Sequence, residues 1–162
     1  MTQSGFTPTD SGTGKWTEAN RMAQSQAESF NIYWQNTDRS IIVIDFPESW
    51  TMVEVFRALE QMAAMMDEGA EEQAAIFNLS GSTLPSDSPQ HFREILSTAV
   101  ILHPSLKLVV TVTGGNRPVM VMVNIFTRLH MLFHNFPLLE AMTLPDALEL
   151  IDRHRRENTP SD

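Results

Sequence analysis

Apolar side chains recur along this chain with two different periods. In "FNIYWQ" (30–35) they alternate with polar ones, and in "SIIVIDF" (40–46) they run on almost unbroken. The first pattern suits a half-exposed edge strand and the second a strand buried on both faces. The turn residues "NTDR" between them predict an antiparallel pair. In "TMVEVFRALEQMAAMMDE" the period changes. Met52, Val55, Phe56, Leu59, Met62, Ala63 and Met66 recur three and four apart, on one side of a helix. Ser49 or Thr51 can cap that helix and Gly69 marks its stop. Trp50, just ahead of the helix, suits a hydrophobic staple, and the methionine run suits core filling.

Strands and helices alternate from there. "AAIFNL" (74–79) reads as a strand. "PQHFREILSTAVIL" (89–102) reads as a helix with Phe92, Ile95, Leu96, Ala99 and Val100 inward, ending before Pro104. "LKLVVTVT" (106–113) is a buried strand, and "GGNRP" turns the chain into a long helix over Val119–His134. "LLEAMTL" (138–144) is a short last strand. "PDALELIDRHRR" (145–156) is a closing helix with Pro145 near its first position and Leu148 and Ile151 facing in. The order β-β-α-β-α-β-α-β-α predicts a single α/β domain. Its sheet is mainly parallel, with right-handed crossovers, one antiparallel edge strand and flanking helices. Residues 1–29, rich in Ser, Thr, Gly and Gln, read as a flexible leader with a short helix over 17–27. The domain covers 30–157, and 158–162 form a tail.

Composition narrows the range of functions. The 162 residues suffice for one domain with a real core. Net charge is −9, with Lys15 and Lys107 the only lysines, a balance that repels nucleic acids and anionic lipid surfaces. The basic cluster "RHRR" (153–156) suits the last turn of a helix, where cations complement the dipole. Absence of cysteine excludes disulfides, thiolate metal sites and cysteine nucleophiles, and fits a cytoplasmic location. The longest apolar stretch, 119–133, falls short of the roughly 20 residues of a membrane span and is interrupted by Asn124, Arg128 and His130.

Candidate chemistry gathers at "IFNLSGSTLPSDSP" (76–89), where the third strand meets a helix. In open α/β sheets ligands and switches collect at such carboxyl ends. The segment lacks the G-x-S-x-G of a hydrolase elbow and the G-K-[ST] of a phosphate loop. Ser80, Ser82, Thr83 and Ser86 are the candidate contact and switch residues. The competing reading is a plain connection, with Ser88 capping a helix that opens at Pro89 and Gly81, Pro85 and Asp87 as turn residues. In "GGNRP" the candidates for an anion contact are Gly115, Asn116 and Arg117; a tight turn with Asn116 as cap also explains them. His130 and His134 share a helical face, but no third ligand or H-E-x-x-H glutamate accompanies them, so no metal is expected. In the long helix, Val119, Met122, Phe126, Leu129 and Phe133 form a core stripe. Met120, Val123 and Met131, with Val121, leave further apolar surface. That surface is either covered within the monomer or a face for forming a homodimer.

The succession of elements over roughly 30–156 resembles the STAS domain, the fold of bacterial anti-sigma-factor antagonists and of the cytoplasmic tails of sulfate transporters. "IIVIDF", "AAIFNLSGSTLP", "LVVTVTGGNRPV" and "TLPDALEL" carry the resemblance. The chain also looks like a divergent bacterial STAS-like branch and distant CRAL-TRIO lipid carriers. The resemblance implies a non-catalytic, cofactor-free regulatory module that binds a protein partner. It also implies a phosphorylatable serine just beyond Asn78-Leu79. The family's D-S-S-G is absent, and Ser80, Ser82 and Ser86 stand nearest to it. Two rivals make distinct demands. A small-molecule or lipid binder, using Trp50, Phe56 and the methionines, requires an apolar pocket of about 300 Å3 or more. A hydrolase requires His91 or His103 within hydrogen-bond reach of Ser80 or Ser82.

Overall fold

The computed structural model describes residues 30–86, 103–133 and 136–160. Five strands form one sheet in chain order: β1 (Asn31–Trp34), β2 (Ile41–Asp45), β3 (Gln73–Asn78), β4 (Leu106–Val112) and β5 (Leu138–Ala141). β1 pairs antiparallel with β2, and all later pairs are parallel. Three helices accompany them: α1 (Met52–Met66), α2 (Arg117–Phe133) and α3 (Leu144–Asn158). This is the expected α/β architecture with its antiparallel edge. The leader (1–29), the helix expected over 89–102, and His91 and His134 lie outside the described residues.

Alternation along the strands builds two cores. Ile42, Ile44, Ala75 and Val109 point to one face, under α1 and α2, while Val43, Ile76, Val110 and Val112 point to the other, under α3. A register shift between Gln73 and Ala74 absorbs Lys107, so Leu106 and Leu108 face opposite cores. β2 is buried on both faces, as its unbroken apolar run requires.

Local chemistry fixes the connections. Asn36 holds the β1–β2 turn, its Oδ1 accepting from the Ser40 and Ile41 amides, with Arg39 left-handed at φ 54°. Thr51 caps α1 in a reciprocal box: its Oγ1 accepts from the Glu54 amide, and the Glu54 carboxylate accepts from the Thr51 amide at 2.8 Å. Trp50 and Val55, the staple positions around that cap, both enter the core. Thr143 caps α3, and from its last turn Arg155 donates to the Ser40 carbonyl at 3.0 Å. The basic cluster thus fastens α3 to the start of β2 as well as complementing the dipole.

The structure widens the inner stripe of the long helix: Val119, Met122 and Phe126 pack on the core as expected, and Val123 joins them. Among its described side chains Val119, Val123 and His130 are buried, while Met122 and Phe126 are half-buried. Val123, expected on a self-association face, is core. Met120 is half-buried, and the side chain of Met131 lies outside the described set. Among those same described side chains the exposed large apolar ones are Val121 and Ile125. The helix is apolar nearly all round, so its pattern fixes the period but not how wide a stripe meets the sheet.

Candidate functional site

The four parallel strands end along one rim. There β2 and β3 finish in polar residues paired in register, Asp45 and Asn78, and Asn78 Nδ2 donates to Asp45 Oδ1 at 2.8 Å. The oxygen of the same amide, Asn78 Oδ1, accepts from the Ser80 amide at 3.2 Å and from the Ser80 hydroxyl at 2.7 Å, an Asx turn that starts the serine loop. Tyr33, on β1, is hydrogen-bonded to Asp45. Burial first, then the Asp45 charge and that bond, raise its phenol above the usual value of 10.0.

The loop beyond is stitched to the segment ahead of α1. Ser82 is 2% exposed, and its hydroxyl donates to the Pro47 carbonyl at 2.7 Å, with the Phe46 carbonyl at 3.2 Å as the alternative acceptor. The Thr83 amide and hydroxyl both donate to the Glu48 carbonyl, and the Ser86 amide donates to that of Trp50. Trp50 answers by donating its indole Nε1–H to the Thr83 carbonyl at 2.8 Å. Trp50 thereby staples α1 and also pins the loop. Of the predicted loop residues, Ser82 is structural, Thr83 and Ser86 are exposed but tied, and Ser80 presents its hydroxyl at the rim.

The second predicted feature, the turn into α2, meets this loop. Gly114 and Gly115 have φ of 63° and 77°, where side chains are strained. A Cβ on Gly114 would stand 3.0 Å from the Ser80 backbone and Cβ, so the absence of a side chain there lets Ser80 rest on the turn. Asn116 Nδ2 donates to the Ser82 carbonyl at 3.4 Å, and Arg117, exposed, opens α2 beside it. Ser80, Ser82, Gly115, Asn116 and Arg117, read separately from sequence, thus belong to one surface. Sequence reasoning missed Tyr33 and the Asp45–Asn78 pair. Their signal was a polar residue closing each of two apolar runs, "IIVID" and "AAIFN", but the register that joins them is a tertiary property.

The described histidines lie at the opposite edge of the sheet. His103 precedes β4 and pairs with Asp67 at 2.9 Å; His130 bonds the Phe136 carbonyl just before β5; His154 lies late in α3 beside Asn158. His103 is therefore not the base a serine nucleophile would need. Among the described residues no three His, Asp or Glu side chains converge as metal ligands. Between α1, α2 and the sheet lies an apolar cavity of about 90 Å3, lined among others by Phe46, Trp50, Leu59, Phe77, Met122 and Phe126. That is well below the roughly 300 Å3 of an ordinary ligand pocket. Among the described residues no helix is long and apolar enough to cross a membrane.

Comparison of the chain with protein-family models, with characterised proteins and with solved structures finds no significant match in any of the three.

Proposed function

We propose that this chain is a non-catalytic, STAS-like docking module. Its carboxyl rim, formed by the serine loop and the turn into α2, receives a protein partner, and negative charge at Ser80 switches that contact. One observation carries the reading: two loops from neighbouring strands are fastened into a single surface on which Ser80, exposed, rests against the turn that leads to Arg117. A phosphate on Ser80 would bring about −1.5 to −2 charges. It would lie beside the start of α2, where an anion gains about 0.3–1 kcal/mol from the helix dipole, and on the side of a carboxylate, Asp45, that opposes it. The rim would change its charge without the fold having to change.

The sheet geometry favours this over a ligand crevice at the carboxyl rim. Strand order runs from β1 to β5 without reversal, so the sheet lacks the switch point at which open α/β proteins open a cleft. The small cavity speaks against the lipid-carrier alternative, and the distance of the described histidines from the rim against hydrolysis.

The test places a photoreactive amino acid at Leu84, an exposed position in the same loop, and crosslinks in the native cell. A discrete adduct whose yield changes strongly on Ser80→Asp, and little on Ser80→Ala, is the expected result. A yield indifferent to charge at Ser80 overturns the switch, and turnover of a substrate that depends on Ser80 overturns the non-catalytic reading.

A further inference from the structure

We infer that the outward stripe of α2 is the contact for an acidic, helix-forming segment of a protein partner. The inference rests on the docking reading above and names the chemistry of the partner. Charge distribution along the chain is the first observation. All twenty acidic residues fall outside 95–139, so α2 and its flanking strands β4 and β5 to Leu139 carry no carboxylate in a protein of net charge −9. The charged groups of α2 are Arg117 and Arg128, both exposed. Exposed carboxylates gather elsewhere among the described residues, at Asp67, Glu68, Glu71 and Glu72 after α1 and at Asp146, Glu149 and Asp152 along α3, where Arg153 and Arg156 accompany them.

The second observation is what lies between the arginines. Val121 is 60% exposed and Ile125 49% exposed, while Val119, Val123 and His130 occupy the buried side. Arg117, Val121, Ile125 and Arg128 follow one another at steps of four, four and three, so they form one stripe along the helix. Its ends are eleven positions apart, about 16 Å at 1.5 Å per residue. A stripe with two apolar anchors between two fixed cations matches a helix bearing carboxylates at the same spacing and apolar residues between them.

The same charges count against other occupants. Two copies pairing α2 with α2 antiparallel would set Arg117 against the partner's Arg128 at both ends, and a parallel pairing would set each arginine against itself. Either arrangement brings like charges together on a helix that carries no carboxylate of its own, which is a penalty rather than a bond. An anionic membrane or a nucleic acid would meet two cations on a body of net charge −9.

The test uses the full-length protein and a fluorescent helical peptide with two glutamates eleven positions apart and leucines between, beside a control with lysines in their place. Anisotropy should show saturable binding of the glutamate peptide alone. Arg128→Glu or Val121→Asp should weaken it at least tenfold with the melting temperature unchanged. The double variant Arg117→Glu/Arg128→Glu should reverse the preference and bind the lysine peptide. Equal binding of both peptides, or saturation by neither, overturns the inference. So does light scattering that shows a wild-type dimer broken by Val121→Asp, or tighter binding to phosphatidylserine vesicles than to the peptide. Peptide binding indifferent to α2 charge, alongside Ser80-sensitive crosslinking at position 84, defeats this inference alone; the converse defeats the switch alone.

Discussion

Ser80 and Ser82 are two residues apart and chemically identical, yet their surroundings give them different work. Ser82 is sealed in, its hydroxyl satisfying a carbonyl at the end of β2's extension. Removing it strands a buried acceptor. Ser82→Ala should therefore cost about 1 kcal/mol in urea unfolding, whereas Ser80→Ala should stay within about 0.5 kcal/mol of wild type. Gly69 is a similar case of hidden necessity. An added Cβ would stand 2.5 Å from the Trp34 ring and 2.8 Å from the Arg39 carbonyl, so Gly69→Ala should destabilise by about 1–3 kcal/mol, seen as a lowered denaturation midpoint. Tyr33 is the one tyrosine of the chain, which lets its titration be read directly from tyrosinate absorbance. Its folded pKa is raised above the unfolded value of 10.0 by burial first and Asp45 second. Stability from the neutral phenol is therefore complete below pH 10.0 and is lost as pH rises through the folded value. The absorbance midpoint should lie above 10.0. Asp45→Asn should lower it, burial keeping part of the rise, and Tyr33→Phe should remove that alkaline loss of stability. Sequence reasoning found the serines because hydroxyl residues crowd one loop. It did not divide them, because Ser82's acceptor is contributed 35 positions earlier in the chain.

The elements were legible where local chemistry is decisive. Thr51 closes a capping box with Glu54, and Thr51→Ala should cost about 1 kcal/mol, measured as a fall in unfolding free energy without change in the sheet's far-ultraviolet signature. The turn Thr113–Asn116 was legible as a turn from its paired glycines. That it also seats Ser80 was not, since this depends on β3 and β4 being neighbours. Gly114→Ala should be the costlier of the two glycine replacements there, by strain at φ 63° together with the 3.0 Å approach to Ser80, about 1–3 kcal/mol in all. α2 shows the opposite limit. Its length and period could be read, but a helix with valines and methionines on every side does not announce how far its inner face extends. Val123 turned inward and Val121 outward because the sheet and α1 already present Phe77, Val109 and Leu59 as the surface to be covered.

At the scale of the whole molecule, alternation of strands and helices dictated a mainly parallel sheet, whose strand order the structure supplies, and the unbroken run of β2 dictated its burial. Register, the joining of Asp45 to Asn78, and the meeting of two loops at the rim are products of that order and could be seen only once it was in place. The distribution of charge belongs to this scale too: carboxylates lie around α1 and along α3, where arginines accompany them, and α2 carries two arginines, Arg117 at the rim and Arg128 three turns further on. The most direct measurement is the backbone amide NMR spectrum of Ser80→Asp against wild type. The account predicts that the resonances of Gly114, Gly115, Asn116 and Arg117 move, while those of β1 and the amino edge of the sheet stay in place. If the added charge leaves those four amides where they were, the serine loop and the start of α2 are not one surface, and the proposed switch has no means of reaching a partner.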